Sequence, residues 1–286
     1  MKSNTVNVEY QKLEHKRIGR KKTKCALVGL LIPGFVSIFG LAACGQSGSP
    51  DTAVPVPVTE TIDAGTTNGS GTLKSQVRPV SGFSRVSLSG VGDLNITQGA
   101  SESLSVEAED NLLPLLETVV ANGTLELRVK ANSSLNSTKP IKYTLVVKSL
   151  SALTLSGVGN VTSGALDVST LDLNLSGAGK IQISSLKAQV LKAELTGVGK
   201  LAVTAGAVTS QTVNLQGTGS YNACGLSSDT AKITVGGTSK ALVSVKSSLV
   251  VVGSGIGSVQ YLGSPTLEQS NSGLGSVTKI TSCPSE

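Results

Sequence analysis

A short string, Leu-x-Leu-Ser-Gly-x-Gly, returns through most of this chain, and its spacing restricts the fold more than any other feature. Copies stand at Leu88-Ser89-Gly90-Val91-Gly92, Leu155-Ser156-Gly157-Val158-Gly159, Leu175-Ser176-Gly177-Ala178-Gly179 and Leu195-Thr196-Gly197-Val198-Gly199. Altered copies follow at Leu215-Gln216-Gly217-Thr218-Gly219, Val235-Gly236-Gly237-Thr238-Ser239, Ser254-Gly255-Ile256-Gly257 and Ser272-Gly273-Leu274-Gly275. From Gly157 onward the first glycines advance in steps of 20, 20, 20, 20, 18 and 18 residues. A fixed period this short marks a solenoid.

Each period alternates like a strand. In Leu171-Asp172-Leu173-Asn174-Leu175 the aliphatics take every second place and so share one face. The same columns recur: Leu88, Leu155, Leu175, Leu195, Leu215 and Val235 precede the first glycine by two, and Leu94, Val161, Ile181, Leu201, Tyr221, Ala241, Val259 and Val277 follow it by four. Twenty residues are too few for a helical repeat but hold two or three short strands with their turns. The chain is therefore expected to be all-β, one repeat forming one rung of a parallel β-helix. Glycine at the corner permits a sharp bend, and aliphatic ladders stacked at ~4.8 Å build the core. Aromatics are 2% of the chain and tryptophan is absent, so the core has to rely on such ladders. Eight Gly-x-Gly copies on strands read as architecture; a phosphate-binding loop would be one glycine-rich turn opening a helix.

The N-terminal part is of another kind. Lys16, Arg17, Arg20, Lys21, Lys22 and Lys24 precede an uncharged apolar run from Ala26 to Ala43, the layout of a secretory signal. It ends in Leu41-Ala42-Ala43-Cys44-Gly45, which resembles the bacterial lipobox: an aliphatic residue, two small ones and the cysteine that takes the lipid. Residues 1–43 are expected to be a lipoprotein signal peptide cleaved before Cys44, and Cys44 to anchor the chain in a membrane. The alternatives are an uncleaved anchor or ordinary signal cleavage. Gly45 in place of Asp favours the outer membrane if the cell is Gram-negative. Residues 44–76, rich in Gly, Ser, Thr and Pro, are expected to be a flexible linker, and 77–286 the folded domain.

Charge and cysteine narrow the function. The net charge is +6, but eight of the 24 Lys/Arg and two of the 18 acids lie in residues 1–44, leaving 16 of each downstream. The neutral remainder gives no support for a nucleic-acid partner. The one histidine is His15, in the leader, so the domain has no Ser/His/Asp or Cys/His set. No metal or cofactor site is expected. Cys224 and Cys283 are a candidate disulfide in an oxidising compartment. Regular stacking would hold them about three rungs apart, roughly 14 Å, so a bridge requires the tail to fold back; the alternative is two buried thiols.

Several further strings occur in order around the repeats: Val80-Ser81-Gly82-Phe83-Ser84-Arg85-Val86, Asp110-Asn111-Leu112-Leu113-Pro114-Leu115-Leu116, Asn122-Gly123-Thr124-Leu125-Glu126-Leu127, Leu150-Ser151-Ala152-Leu153 and Gln260-Tyr261-Leu262-Gly263-Ser264-Pro265. On these, residues 78–280 resemble the GIN domain of auto-transporter adhesin heads. The resemblance implies a single-stranded, right-handed parallel β-helix and little about chemistry. Within the long gap between Gly90 and Gly157, Asp110–Leu116 is expected to be a short helix with Asp110 or Asn111 as N-cap, and Asn122-Gly123 a hairpin turn. This insertion is expected to cap the N-terminal end.

Three surface patterns remain. Lys180, Lys200 and Lys240 share one column, readable as a basic stripe for acidic glycans or lipid headgroups, or as a solubilising face. Ser89, Ser156, Ser176, Thr196, Gln216, Ser254 and Ser272 form a polar ladder, readable as a carbohydrate contact or as a small-residue corner. Asp167 and Asp172 are the nearest repeat-borne pair of acids for hydrolytic chemistry, five residues apart and expected on different strands. The sequence therefore points to an exported, membrane-anchored, non-catalytic envelope module that binds a glycan or an envelope protein. A polysaccharide-active β-helix enzyme and a purely structural envelope component are the alternatives.

Overall fold

In the computed structural model, residues 65–273 and 275–284 are described. The signal peptide, the cleavage motif Leu41-Ala42-Ala43, Cys44, Gly45 and the linker up to residue 64 lie outside the described residues. What is described is almost wholly β: a parallel solenoid of about six turns. Each rung crosses three faces. The first carries 152–155, 170–175, 190–195, 210–215, 230–235 and 248–253, each strand pairing in parallel with the next. The second carries 158–163, 178–183, 198–203, 218–223 and 238–243. The third is narrow and joins 165–167 to 185–187 and onward. The Ser-Gly corners lie between the first and second faces.

Register is set by the ladders. Leu155 stacks on Leu175, Leu175 on Leu195 and Leu195 on Leu215, and all four are fully buried. A one-residue slip would turn every one of these leucines to solvent. At the corner, backbone meets backbone. A Cβ on Gly177 would lie 2.0 Å from the Gly157 carbonyl oxygen, and one on Gly179 would lie 1.8 Å from that of Gly159. Gly179 also has φ +147, which L side chains rarely adopt.

One ladder position is polar. Gln211 stands in the column of Leu171 and Leu191 because the buried Tyr221 needs an acceptor. Tyr221 Oη donates to Gln211 Oε1 at 2.9 Å, Gln211 Nε2 to Ser228 Oγ at 2.8 Å, and Ser228 Oγ to the Ser244 carbonyl at 2.9 Å. Burial pushes the Tyr221 phenol well above its ordinary pKa, which keeps it a donor.

The 67-residue step does not interrupt the stacking. Leu88 pairs directly with Leu155, and the intervening chain caps the end. Arg85–Leu88 takes Thr124–Val129 on its other edge, and Asp93–Gln98 takes Lys142–Val147. From there the sheet turns antiparallel: Ser103–Glu109 pairs with Lys142–Val147 and with Leu73–Arg78, and Leu116–Ala121 forms a hairpin with Thr124–Val129. Asn122 and Gly123 both have positive φ, 50° and 74°, as a two-residue hairpin turn of this hand requires.

Two expectations need correction. The expected helix over Asp110–Leu116 is only a 3-10 turn at Leu113–Leu115, with Leu112 at its N-cap and no side-chain cap. Pro114 restricts Leu113, and Leu116 already enters the hairpin strand. The Asp110 and Asn111 side chains bond to the N-terminal segment instead: Ser70 Oγ donates to Asp110 Oδ1 at 2.5 Å and Asn111 Nδ2 to the Asn68 carbonyl at 2.7 Å. The folded domain also begins before residue 77, where 44–76 was expected to be linker. Thr66–Asn68 pairs in parallel with Ser134–Asn136, and Leu73–Arg78 is an edge strand. Its side chains are almost all exposed, so no hydrophobic alternation announced it.

At the C-terminal end the rungs shorten by two residues. Ala223 still pairs with Val243, but Ser227 pairs with Ser244, so 224–226 have no partner on the following rung. The tail returns to this step, and Cys283 is bonded to Cys224 with a Cα–Cα distance of 5.8 Å. In the last rung, Gln269 and Asn271 occupy inward columns held by Val251 and Gly253 one rung earlier. The aliphatic core thus ends on polar side chains.

Two measurements check this account. Gly179→Ala is expected to lower unfolding free energy by about 3 kcal/mol, from overpacking plus strained backbone. Gly164→Ala, where nothing lies within 4 Å, should stay within about 0.5 kcal/mol of wild type; urea midpoints decide. Cys283→Ser opens a loop of 59 residues, for which chain entropy gives a loss of about 4 kcal/mol. Reductant should bring wild type to the variant's melting temperature.

Candidate functional site

The second face differs from the others in what it shows to solvent. Its outward column nearest the corner is Val91, Val158, Ala178, Val198, Thr218, Thr238 and Ile256. Val158, Val198 and Ile256 are 57%, 61% and 62% exposed. These residues are the x of Gly-x-Gly. Glycine on either side leaves them standing on bare backbone. The next outward column is Asn160, Lys180, Lys200, Ser220, Lys240, Ser258 and Ser276, in unbroken register. The three lysines therefore share one column as the spacing suggested, with Lys180 stacked on Lys200 and Lys240 two rungs on. Lys180 and Lys200 are half-buried and Lys240 is exposed.

Near the C-terminal end this face holds an open depression of about 500 Å³, lined by Thr218, Thr238, Lys240, Ile256 and Ser258 together with Gly219, Ser239 and Gly257. It coincides with the one repeat whose second glycine is replaced. Ser239 turns inward and donates to the Gly217 carbonyl at 3.0 Å. A threonine hydroxyl on each of two rungs, a serine hydroxyl and an ammonium group border an apolar floor.

The first face carries a second depression, about 410 Å³, lined by Asp172, Asn174, Lys192, Glu194, Thr212 and Asn214 among others. Its charged groups are mutually engaged: Lys192 lies 3.9 Å from Asp172, and Asn174 Nδ2 donates to Glu194 at 3.2 Å. Asp167 lies on the third face, 3.0 Å from Lys187. The two acids thus sit on different faces and each has a lysine one rung away. They do not form the two-carboxylate arrangement of a glycosidase. The polar ladder is exposed at the corner, and its backbone is committed to stacking: the Ser156, Ser176 and Thr196 N–H groups each donate to the rung before at 3.0 Å. Among the described residues no group of three or more acids, cysteines or histidines could hold a metal ion.

The most perturbed carboxylate is Glu109, fully buried in the N-terminal cap. It accepts from Gly71 N at 2.7 Å, Ser137 Oγ at 2.8 Å, Thr138 N at 2.9 Å and Thr138 Oγ1 at 2.6 Å. The Thr138 hydroxyl leads these donors in lowering its pKa from 4.5 to about 2, against the opposing pull of burial. It joins the 69–71 turn to the 137–139 loop and faces no ligand-sized opening, so its work is structural. In the same cap, burial pushes the Tyr143 phenol up to about 12.

Residues 82–265 match the family described as "Putative auto-transporter adhesin, head GIN domain". The chain belongs to this family. The fold is shared with solved structures. A Bacteroides fragilis protein described as a "putative adhesin" superposes with a TM-score of 0.72 at 26% identity, covering 74% of this chain and 99% of that one. A Parabacteroides distasonis protein with the same description gives 0.61 at 22% identity, covering 76% and 100%. A protein of the same organism whose name refers to lipid binding gives 0.64 at 22% identity, with the same coverage. No curated protein matches the chain. Family and neighbours support an adhesin-like role without catalysis.

Sequence reading found the lysine column but missed the aliphatic column beside it. The signal was the aliphatic residue between two corner glycines, a place where an inward side chain has no room. Glu109 carried no signal at all, since its donors come from residues 28 to 38 positions away.

The Glu109 carboxylate gives a pH test. A folded pKa below the unfolded one stabilises the fold above pH 4.5, and that stability is lost as pH falls towards about 2. Glu109→Gln should melt at a lower temperature at neutral pH. Its melting temperature should also fall less than that of wild type between pH 4.5 and 2, as thermal scans across that range would show.

Proposed function

We propose that this chain is an exported, lipid-anchored adhesion module of the cell envelope, with Cys44 as the anchor and the solenoid as a non-catalytic binding surface. The observation that carries the binding role is the second face: a flat, regular surface with exposed aliphatics and lysines in adjacent columns and an open depression at one end. Exposed aliphatics on four rungs of one column, Val91, Val158, Val198 and Ile256, cost solubility and contribute nothing to the core. Apolar surface kept in the open at such regular positions points to an interaction.

The acids speak against the enzyme alternative. Asp167, Asp172 and Asp229 each lie within 4 Å of a lysine, Lys187, Lys192 and Lys246, and Glu194, which shares a depression with Asp172, accepts from Asn174. The structural alternative leaves the depression and the exposed aliphatics without a role.

Anchoring and adhesion are tested separately. Cells expressing the full chain should incorporate labelled palmitate into it, and Cys44→Ser should abolish that label. Unchanged labelling in the variant would remove the anchor from this reading. Cells carrying the wild-type chain should adhere to envelope glycans or to other cells above the level of cells without it. Equal adhesion would leave the structural role standing instead. If the outer-membrane placement inferred from Gly45 holds, the label should fractionate with that membrane.

A further inference from the structure

We propose that the second face binds a linear acidic polysaccharide laid along the solenoid axis, with Lys240 and Lys180 taking its anionic groups and Thr218, Thr238 and Ser258 its hydroxyls. This rests on the adhesion reading and names the ligand class for the same face. Three observations converge on it.

The first is charge. From Ala178 to Thr278 the outward positions of this face contain no aspartate or glutamate. They are Ala178, Lys180 and Gln182, then Val198 and Lys200 (Ala202, next in line, is buried), then Thr218, Ser220 and Asn222, and so on through Thr238, Lys240, Leu242, Ser258, Gln260 and Thr278. On the other faces lysines and acids are interleaved and paired, Lys187 with Asp167, Lys192 with Asp172 and Lys246 with Asp229. Lys180 and Lys240 take part in no ion pair among the described residues. Lys200 already has a contact of its own and is not counted in the site. The acid of this column, Asp93, lies two rungs before Lys180 and accepts from Asn160. The domain is close to neutral overall, so an acid-free stretch with lysines beyond it is a local separation of charge, and its complement is an anion.

The second is the mixture of donors. A lone basic patch would suit any polyanion. Here the lysines alternate along the axis with hydroxyls, Ser220 between Lys200 and Lys240 and Ser258 after it. Thr218 and Thr238 stand one column away in the same depression as Lys240. Hydroxyls both donate and accept, which matches sugar hydroxyls. Val198 and Ile256 offer aliphatic surface to the apolar side of a sugar ring. A lipid surface would ask for long apolar or aromatic side chains able to enter the acyl boundary, and the exposed column instead alternates valine with alanine and threonine.

The third is geometry. The columns run straight along the axis, one residue per rung at ~4.8 Å, so Lys180 and Lys240 are three rungs or roughly 14 Å apart. A chain lying along the ladder meets a repeated set of groups at a repeated spacing. A compact ligand would touch only the depression.

The test uses the full-length chain in detergent and four probes: polygalacturonate, which has one carboxylate per sugar, neutral dextran, and vesicles of phosphatidylglycerol or of phosphatidylcholine. Wild type is expected to bind polygalacturonate and not dextran, with affinity falling as salt is raised. Lys180→Ser and Lys240→Ser should each weaken binding about tenfold, the value of one charge-assisted hydrogen bond, and the double variant about a hundredfold, so that it no longer binds at concentrations that half-saturate wild type. Thermal melts should match wild type, since both side chains lie on the surface. Lys187→Ser, on another face, should leave binding unchanged. No binding to polygalacturonate, binding that survives the double variant, or binding only to phosphatidylglycerol vesicles would each overturn the proposal. If the proposal fails while cells carrying the chain still adhere, adhesion stands and the ligand class is wrong; if adhesion is absent too, the functional reading itself fails.

Discussion

The contact on which the rest of the structure depends is the approach of one backbone to another at the Ser-Gly corner. The Gly157 carbonyl oxygen occupies the space that a Cβ on Gly177 would need, and the Gly159 carbonyl does the same to Gly179. Because nothing stands between the rungs there, the strands on both sides keep the hydrogen-bonding distance. Val158 N–H, Ala178 N–H and Val198 N–H each donate 3.0 Å to the glycine carbonyl of the rung before. The leucine ladders gain their burial only because this corner closes. A side chain at the corner would wedge the rungs apart and open the ladder on both neighbouring faces. The glycines are thus the geometric condition for the hydrophobic core, although they bury almost no apolar area themselves.

A solenoid closed by repetition has two ends where repetition fails, and each is handled differently. At the N-terminal end the chain leaves the period for 67 residues and builds antiparallel strands over the open edges. That cap is held by a polar device, the Glu109 carboxylate and its ring of donors. At the C-terminal end there is no inserted cap. The rungs shorten, polar Gln269 and Asn271 replace the inward aliphatics, and the tail returns to the step at Cys224–Leu226, where the disulfide fixes it. Both solutions keep the exposed strand edges short or polar, which limits pairing with other chains.

How much of this could be read from the sequence follows from the range of the forces involved. The solenoid, its period, the inward columns and the stacked lysines were legible, because each rung repeats the same local requirement and register is a matter of counting. The Asn122-Gly123 hairpin was legible because positive φ at two successive positions has a strong residue signature. The 3-10 turn was misjudged as a helix, since Leu115 and Leu116 follow Leu112 by three and four residues, as on one helix face, and only tertiary pairing of Leu116 ends it. The strands Thr66–Asn68 and Leu73–Arg78 were missed because their pairing is by backbone and neither has a buried apolar face to set up an alternation. The route by which Cys283 reaches Cys224 was hidden too. It depends on a three-residue offset between Ala223/Val243 and Ser227/Ser244, and two shortened periods announce that offset without saying which corner absorbs it.

The same repetition that makes the fold legible also shapes what the molecule can bind. In a solenoid a residue choice at one outward position is copied down the column, so selection on a surface acts on stripes. Inward columns have to stay aliphatic and the first corner position has to stay glycine, which leaves few columns free to vary. On the second face those free columns hold short aliphatics, lysines and hydroxyls from Ala178 onward, with Asp93 at the N-terminal rung bound to Asn160; on the other two faces Asp167, Asp172 and Asp229 sit beside lysines. A neutral domain could have interleaved its charges on all three faces and gained small pairing energies on each. Keeping this face free of acids from Ala178 onward forgoes the pairing available to Lys180 and Lys240 and leaves valine and isoleucine in water. Stability offers no reason for either arrangement, and a ligand running parallel to the axis supplies a reason for both.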